Sequence, residues 1–160
     1  MIIALGSDHA GFELKDTIKR KLETGPHRVI DVGTQASEPP VATAAIARLV
    51  AQKVLRGEAE RGVLICGTGG GISVAANRYP GIRALLCFNR FTAEMARKHN
   101  DANVLALGSR TTEVEVACEL VDIFLNTPFG GGKYLPRIKL LEEIEREVYD
   151  LLKEKYGCRE

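Results

Sequence analysis

The chemistry in this chain concentrates where a short apolar run, Val63 to Ile65, delivers a cysteine into a glycine-rich turn, Cys66-Gly67-Thr68-Gly69-Gly70-Gly71-Ile72-Ser73. Glycines accept positive φ and let successive backbone N–H groups converge on one negative centre, and a helix beginning near Ile72 would add its positive end. A thiol in that field ionises more readily, so Cys66 reads as a base or nucleophile near neutral pH. The plainer reading is a packed cysteine ending a strand before a tight strand-to-helix connection. A second polar cluster, Gly6-Ser7-Asp8-His9-Ala10-Gly11, follows the first apolar segment in the equivalent place. A third, His99-Asn100-Asp101-Ala102-Asn103, precedes the fifth apolar segment, which runs into Gly108-Ser109-Arg110. Open parallel sheets gather their sites at the carboxyl ends of strands, and acid, imidazole, thiol and anion-binding amides could meet in such a site. Asp8 is equally an N-cap, and His9 beside it has less structural reason to be where it is. His99, at a helix C-terminus, is either cap chemistry or a proton carrier whose charged form that location favours. His27, in a Gly-Pro-His-Arg turn, reads as exposed and inert.

These residues need a frame, and hydrophobic periodicity supplies one. Apolar, β-rich segments at about 2–6, 28–32, 62–66, 82–87 and 103–107 read as short buried parallel strands. Between them, 12–22, 44–55, 72–78, 91–99 and 112–125 carry apolar residues at helical spacing, with Val114, Ala117, Val121, Phe124 and Leu125 as one such stripe. Five βα units imply an α/β, doubly wound, Rossmann-like five-stranded parallel sheet with helices on both faces, formed by a single domain over residues 1–160. A glycine-proline loop from Pro128 to Pro136 leads into a last, charged helix with Ile138, Leu141, Ile144, Val148, Leu151 and Leu152 along one stripe. Because the five units already look complete, that helix is expected to pack on a partner subunit, making the protein a homo-oligomer.

Composition narrows the function. The 160 residues are 45% hydrophobic and 27% charged, ordinary for one globular domain. With 22 basic and 21 acidic residues the net charge is +1, so no global field favours nucleic acid or an anionic membrane, and anion recognition must be local. No apolar run approaches a membrane span, and the N-terminus reads directly into a strand without a signal-peptide pattern; the expectation is cytoplasmic. The four cysteines, at 66, 87, 118 and 158, show no C-x-x-C pair and no histidine at zinc-ligand spacing, which argues against disulfides and structural zinc. Cys87 and Cys118 read as small core hydrophobes, and Cys158 lies in a polar tail.

Three separated motifs carry a resemblance. Gly6-Ser7-Asp8-His9-Ala10-Gly11-Phe12-Glu13-Leu14-Lys15, then Ile65-Cys66-Gly67-Thr68-Gly69 with Gly71-Ile72-Ser73 and Ala75-Ala76-Asn77, then His99-Asn100-Asp101 with Asn103-Val104-Leu105, resemble the B-type ribose-5-phosphate isomerases over roughly residues 1–150. A sister group acts on galactose 6-phosphate and allose 6-phosphate. The resemblance implies interconversion of ribose 5-phosphate and ribulose 5-phosphate through a cis-enediol, with no metal and no cofactor, in the pentose phosphate pathway. It implies Cys66 as the base between C2 and C1, His99 as the group that opens the furanose ring, and Thr68 beside them. The amides of Gly67, Gly69, Gly70 and Gly71 would hold the developing oxyanion. Asp8, His9, Thr68 and Asn100 would contact the sugar or phosphate. Arg110, Lys133 and Arg137 match substrate-binding positions, with the phosphate chiefly near the last two. The family's site lies between two subunits, so a homodimer or tetramer is implied.

The chain departs from the family pattern twice. Lys133 stands where arginine is usual, and a lysine cannot grip phosphate bidentately. The loop after the second strand, Glu38-Pro39-Pro40-Val41-Ala42-Thr43-Ala44, lacks the usual Asp-Tyr-Pro, which opens the way to a six-carbon phosphate. Other anion-binding classes fit worse. A dinucleotide fingerprint would follow the first strand, and here the glycines follow the third with Ile72 at the last glycine's place. A cysteine phosphatase would need an arginine closing its loop, and a P-loop would need Gly-Lys-Ser/Thr. A sensor that binds sugar phosphate without turnover remains on the same fold, although retention of both Cys66 and His99 argues against it.

Overall fold

The computed structural model describes residues 1–157, so Cys158 falls outside the described residues. Five parallel strands, β1 (Ile2–Ser7), β2 (Arg28–Asp31), β3 (Arg61–Cys66), β4 (Ala84–Leu86) and β5 (Val104–Gly108), form one sheet in the order β2-β1-β3-β5-β4. The helices are α1 (Phe12–Glu23), α2 (Thr43–Leu55), α3 (Gly70–Ala76), α4 (Arg90–Asn100), α5 (Val114–Asn126) and α6 (Leu135–Tyr156), with 3-10 turns at His9–Gly11 and Gly132–Tyr134.

Alternation along each strand builds the two sides of the core. Ile3, Leu5, Val63, Ile65, Leu105 and Leu107 pack with Leu14 and Ile18 of α1 and with Leu120, Val121 and Phe124 of α5. Their neighbours Ala4, Leu64, Cys66, Val104 and Ala106 face the other way, onto Ile46, Ala47 and Val50 of α2 and Ile72 and Ala76 of α3. A period of two on a fully covered sheet therefore turns the Cys66 side chain to the α2–α3 face.

The sequence-derived elements all form, with shifted ends. β4 is three residues rather than six. α5 begins at Val114 rather than Thr112, and α3 begins at Gly70, two residues before Ile72. Gly70 and Gly71 thus belong to the first helical turn, whose N–H groups have no intrahelical acceptor. His27, expected to be exposed, is half-buried with Nδ1 enclosed. Of α6, Ile138 is the one buried side chain, whereas Leu140, Ile144 and Val148 are 55%, 45% and 47% exposed.

Candidate active site

The chain runs outward from β1 to β2 in one direction and from β1 to β3 in the other, so β1 and β3 flank the sheet's switch point, where a parallel sheet opens a crevice at its carboxyl edge. Asp8 follows β1 and Cys66 ends β3, and the Asp8 N–H donates to the Ile65 carbonyl at 3.2 Å, locking the two connections together. Gly69 is the pivot of the second connection. Its φ of +78° is in the left-handed region, and a Cβ there would lie 2.4 Å from Leu86 Cδ1 and 2.9 Å from the Leu107 carbonyl carbon. That backbone turns the Gly69 N–H onto Cys66 Sγ at 3.1 Å. The sulphur is 5% exposed as a residue and accepts a backbone hydrogen bond, with the unpaired first-turn amides of Gly70 and Gly71 just beyond.

Cys87 shows what a packed cysteine looks like in the same sheet. It is fully buried, burial pushes its thiol up to about 11 against a hydrogen bond from Thr92, and its sulphur donates weakly to the Leu85 carbonyl at 3.8 Å. Cys118 is half-buried against the core with its thiol raised by burial, and all three cysteines among the described residues are free.

Asp8 performs the capping expected of it and more. Oδ1 accepts from the Ala10 and Gly11 N–H groups at 3.0 and 3.3 Å, and Oδ2 accepts from Thr43 Oγ1 at 2.7 Å. His9 Nδ1 accepts from the Val41 N–H at 3.3 Å, which puts the proton of the neutral ring on Nε2. The loop without the Asp-Tyr-Pro segment therefore reaches the site through a backbone amide and the Thr43 hydroxyl. Ser109 and Arg110 donate their N–H groups to the carbonyls of Cys66 and Gly67, both at 2.9 Å, and the Arg110 side chain lies over Gly67. Thr68 is exposed at the mouth.

His99 and Asn100 do not join this group. They form the last turn of α4, which descends from β4 to the start of β5, so they sit at the amino edge of the sheet. Cys66 pairs with Gly108 at the far end of β5, about 13 Å away along the strand at 3.3 Å per residue. Acid and thiol therefore lie at one edge of the chain's sheet and imidazole at the other, because a helix entering a parallel strand delivers its C-terminus to the opposite edge. The amino edge has its own cluster. An Asn89–Thr92 capping box starts α4, and buried Arg97 pairs with the left-handed C-cap Asp101 at 2.8 Å to fix its end. The loop after α5 then brings Tyr134 onto His99 and places exposed Lys133 and Arg137 beside it. Tyr134 was not singled out from the sequence; its one signal was an aromatic residue between two cations in a glycine loop. Among the described residues, no group of three or more His, Cys, Asp or Glu side chains is placed to hold a metal ion.

Comparison with known proteins bears on this geometry. Residues 3–141 match the Ribose/Galactose Isomerase family. The chain is 44% identical over 148 residues to ribose-5-phosphate isomerase B of Escherichia coli (strain K12), covering 90% of this chain and 96% of that one. It is 36% identical over 160 residues to a 4-deoxy-4-sulfo-D-erythrose isomerase of Clostridium sp. (strain MSTE9), covering 100% and 96%. The solved structure of ribose-5-phosphate isomerase B from Clostridium thermocellum superposes with a TM-score of 0.91 at 45% identity, over 92% of this chain and 99% of that one. A doubly wound sheet with these likenesses defines an enzyme of the aldose–ketose isomerase class. The chain belongs to the ribose/galactose isomerase family.

Proposed function

We propose that the enzyme interconverts ribose 5-phosphate and ribulose 5-phosphate in a site built from the carboxyl edge of one subunit and the amino edge of a second. The observation that carries the chemistry is the Gly69 N–H at 3.1 Å from Cys66 Sγ, with the Gly70 and Gly71 amides open beyond it. A thiolate held there takes the C2 proton of the open-chain aldose. Electrons shift to the carbonyl oxygen, and the amides hold the resulting cis-enediolate. Transfer of the O2 proton to O1 and return of the carbon-bound proton to C1 give the ketose, with its carbonyl at C2 and a hydroxyl at C1. The reaction is an internal redox exchange and consumes no oxidant or reductant. Thr68, Asp8, His9 and Asn100 contact the sugar, and Arg110, Lys133 and Arg137 hold its anionic end. His99 of the second copy moves the proton that opens the furanose ring.

Two features support the shared site. His99 is a strand length from Cys66 within one chain, and α6 leaves an apolar stripe uncovered beside the His99 edge. The stripe fits a homodimer, alone or within a tetramer. A cytoplasmic site of action belongs to the same reading, because a thiol base needs a reducing compartment.

A second reading concerns substrate size. The 35–40 segment is exposed and carries no aromatic ring over the site, which favours a bulkier sugar phosphate, and Lys133 presents a single point charge to the anion. Turnover of ribose 5-phosphate, allose 6-phosphate, galactose 6-phosphate and 4-deoxy-4-sulfo-erythrose by the purified protein with EDTA decides among them. Ribose 5-phosphate is expected to be preferred, with loss of about a thousandfold or more in Cys66→Ala. Preference for another sugar moves the protein within its family, and binding without any turnover identifies a sensor.

A further inference from the structure

The side chain at the centre of the amino-edge cluster is Tyr134, which nothing in the proposed chemistry uses. Its hydroxyl is 2.8 Å from His99 Nε2, and the two rings stack with centroids 4.2 Å apart at 24°. Lys133 Nζ and Arg137 Cζ lie 5.2 and 5.5 Å from the same ring's centroid. Imidazole and both anion-binding cations therefore share one aromatic platform.

The backbone fixes that platform. The Gly130 N–H donates to the Lys98 carbonyl at 3.0 Å, tying the loop to the last turn of α4, and the Tyr134 N–H donates to the Gly131 carbonyl at 2.9 Å. A Cβ on Gly130 would stand 2.8 Å from the Lys98 oxygen and 3.2 Å from Tyr134 Cδ2, so a side chain there would force loop and helix apart.

We propose that Tyr134 is a positioning residue: its ring sets the plane of the His99 imidazole and its hydroxyl engages Nε2, leaving Nδ1 as the nitrogen that faces the sugar. A half-buried histidine on the terminal turn of a helix otherwise has several rotamers open to it. Fixing one rotamer and one free nitrogen is worth most for a group that must deliver a proton to one ring oxygen. The cations on the same ring link the grip on the anion to the orientation of the imidazole.

This inference rests on the reading of His99 as the ring-opening group, and a double-mutant cycle separates the two. kcat for ribose 5-phosphate and inhibition by inorganic phosphate are measured in wild type, Tyr134→Phe, His99→Asn and the double variant, with melting temperature as the check on folding. Phenylalanine keeps the stack and the cation–ring contacts and removes only the hydroxyl. Tyr134→Phe is expected to lower kcat about tenfold, the scale of one hydrogen bond, with KM and phosphate inhibition unchanged. In the His99→Asn background the same change should cost nothing, because the residue acts through the imidazole. Equal losses in both backgrounds, or no loss in wild type, overturn the inference. A His99→Asn variant as active as wild type overturns the ring-opening reading itself. Tyr134→Ala, which also removes the platform, should additionally weaken phosphate inhibition; unchanged inhibition would contradict the link between anion grip and imidazole.

Discussion

The carboxyl and amino edges of the sheet are built by different means. At the carboxyl edge the functional groups are set by main chain: Cys66 Sγ is held by the Gly69 N–H, Asp8 is tied to Ile65, and Arg110 to Gly67, each by backbone hydrogen bonds. At the amino edge they are set by side chains: His99, Lys133 and Arg137 gather on one tyrosine ring at the foot of an uncovered helix. The first edge is preorganised in one chain, as the proposed stabilisation of a developing oxyanion would require. The second presents exposed groups, which the proposed two-subunit site would complete with another surface.

The contrast predicts unequal responses to damage. Gly69→Ala should be the most severe change, because a left-handed residue and a 2.4 Å collision with Leu86 combine. Strain of about 1–2 kcal/mol and overpacking of about 1–3 kcal/mol should lower the melting temperature and turnover together. Gly130→Ala at the other edge should leave melting nearly unchanged, since the loop is exposed, and lower turnover several-fold by moving Tyr134 off His99. Equal thermal penalties for the two would erase the distinction.

Acid should also find the carboxyl edge first. Burial alone would raise the Asp31 carboxyl at the end of β2, but hydrogen bonds from Lys15 and the Gly33 N–H, with the Lys15 charge and Lys19, outweigh it and hold Asp31 below the ordinary 3.8. A lowered folded value stabilises the fold above the unfolded value and is lost as pH falls through the folded one. Thermal melts at pH values below 3.8 should therefore fall more steeply in wild type than in Asp31→Asn; parallel curves would remove Asp31 from the account. The smallest effect is expected from Lys133→Arg, which restores a bidentate donor and should lower KM a few-fold with kcat unchanged, in steady-state assays.

Much of this was legible in the sequence, for identifiable reasons. Continuous apolar strands mark a buried parallel sheet and three-to-four spacing marks the helices that cover it, so the five βα units could be read directly, and the stripe on α6 was legible as an apolar face that the chain leaves exposed. Asp8, also a candidate site residue, could be read as a cap because an Asp just before a helical segment accepts from its first N–H groups. That His99 sits a strand length from Cys66 was less plain, because residues adjacent in sequence to a strand's start are separated from other strands' ends only by chain direction. Tyr134 was missed because a stack between helix α4 and a loop 35 residues later leaves no periodic trace. Lys15, buried against Asp31, was hidden for the same reason.

The central claim is that one working site draws on two copies of the chain, and subunit complementation tests it most directly. Cys66→Ala and His99→Asn, each nearly inactive with ribose 5-phosphate alone, would be unfolded together, refolded and assayed. Random pairing in a symmetric dimer returns about a quarter of the sites with both groups intact, so activity should rise toward about a quarter of wild type. Activity that stays at the average of the two parents would contradict a shared site and return both residues to separate roles within one chain.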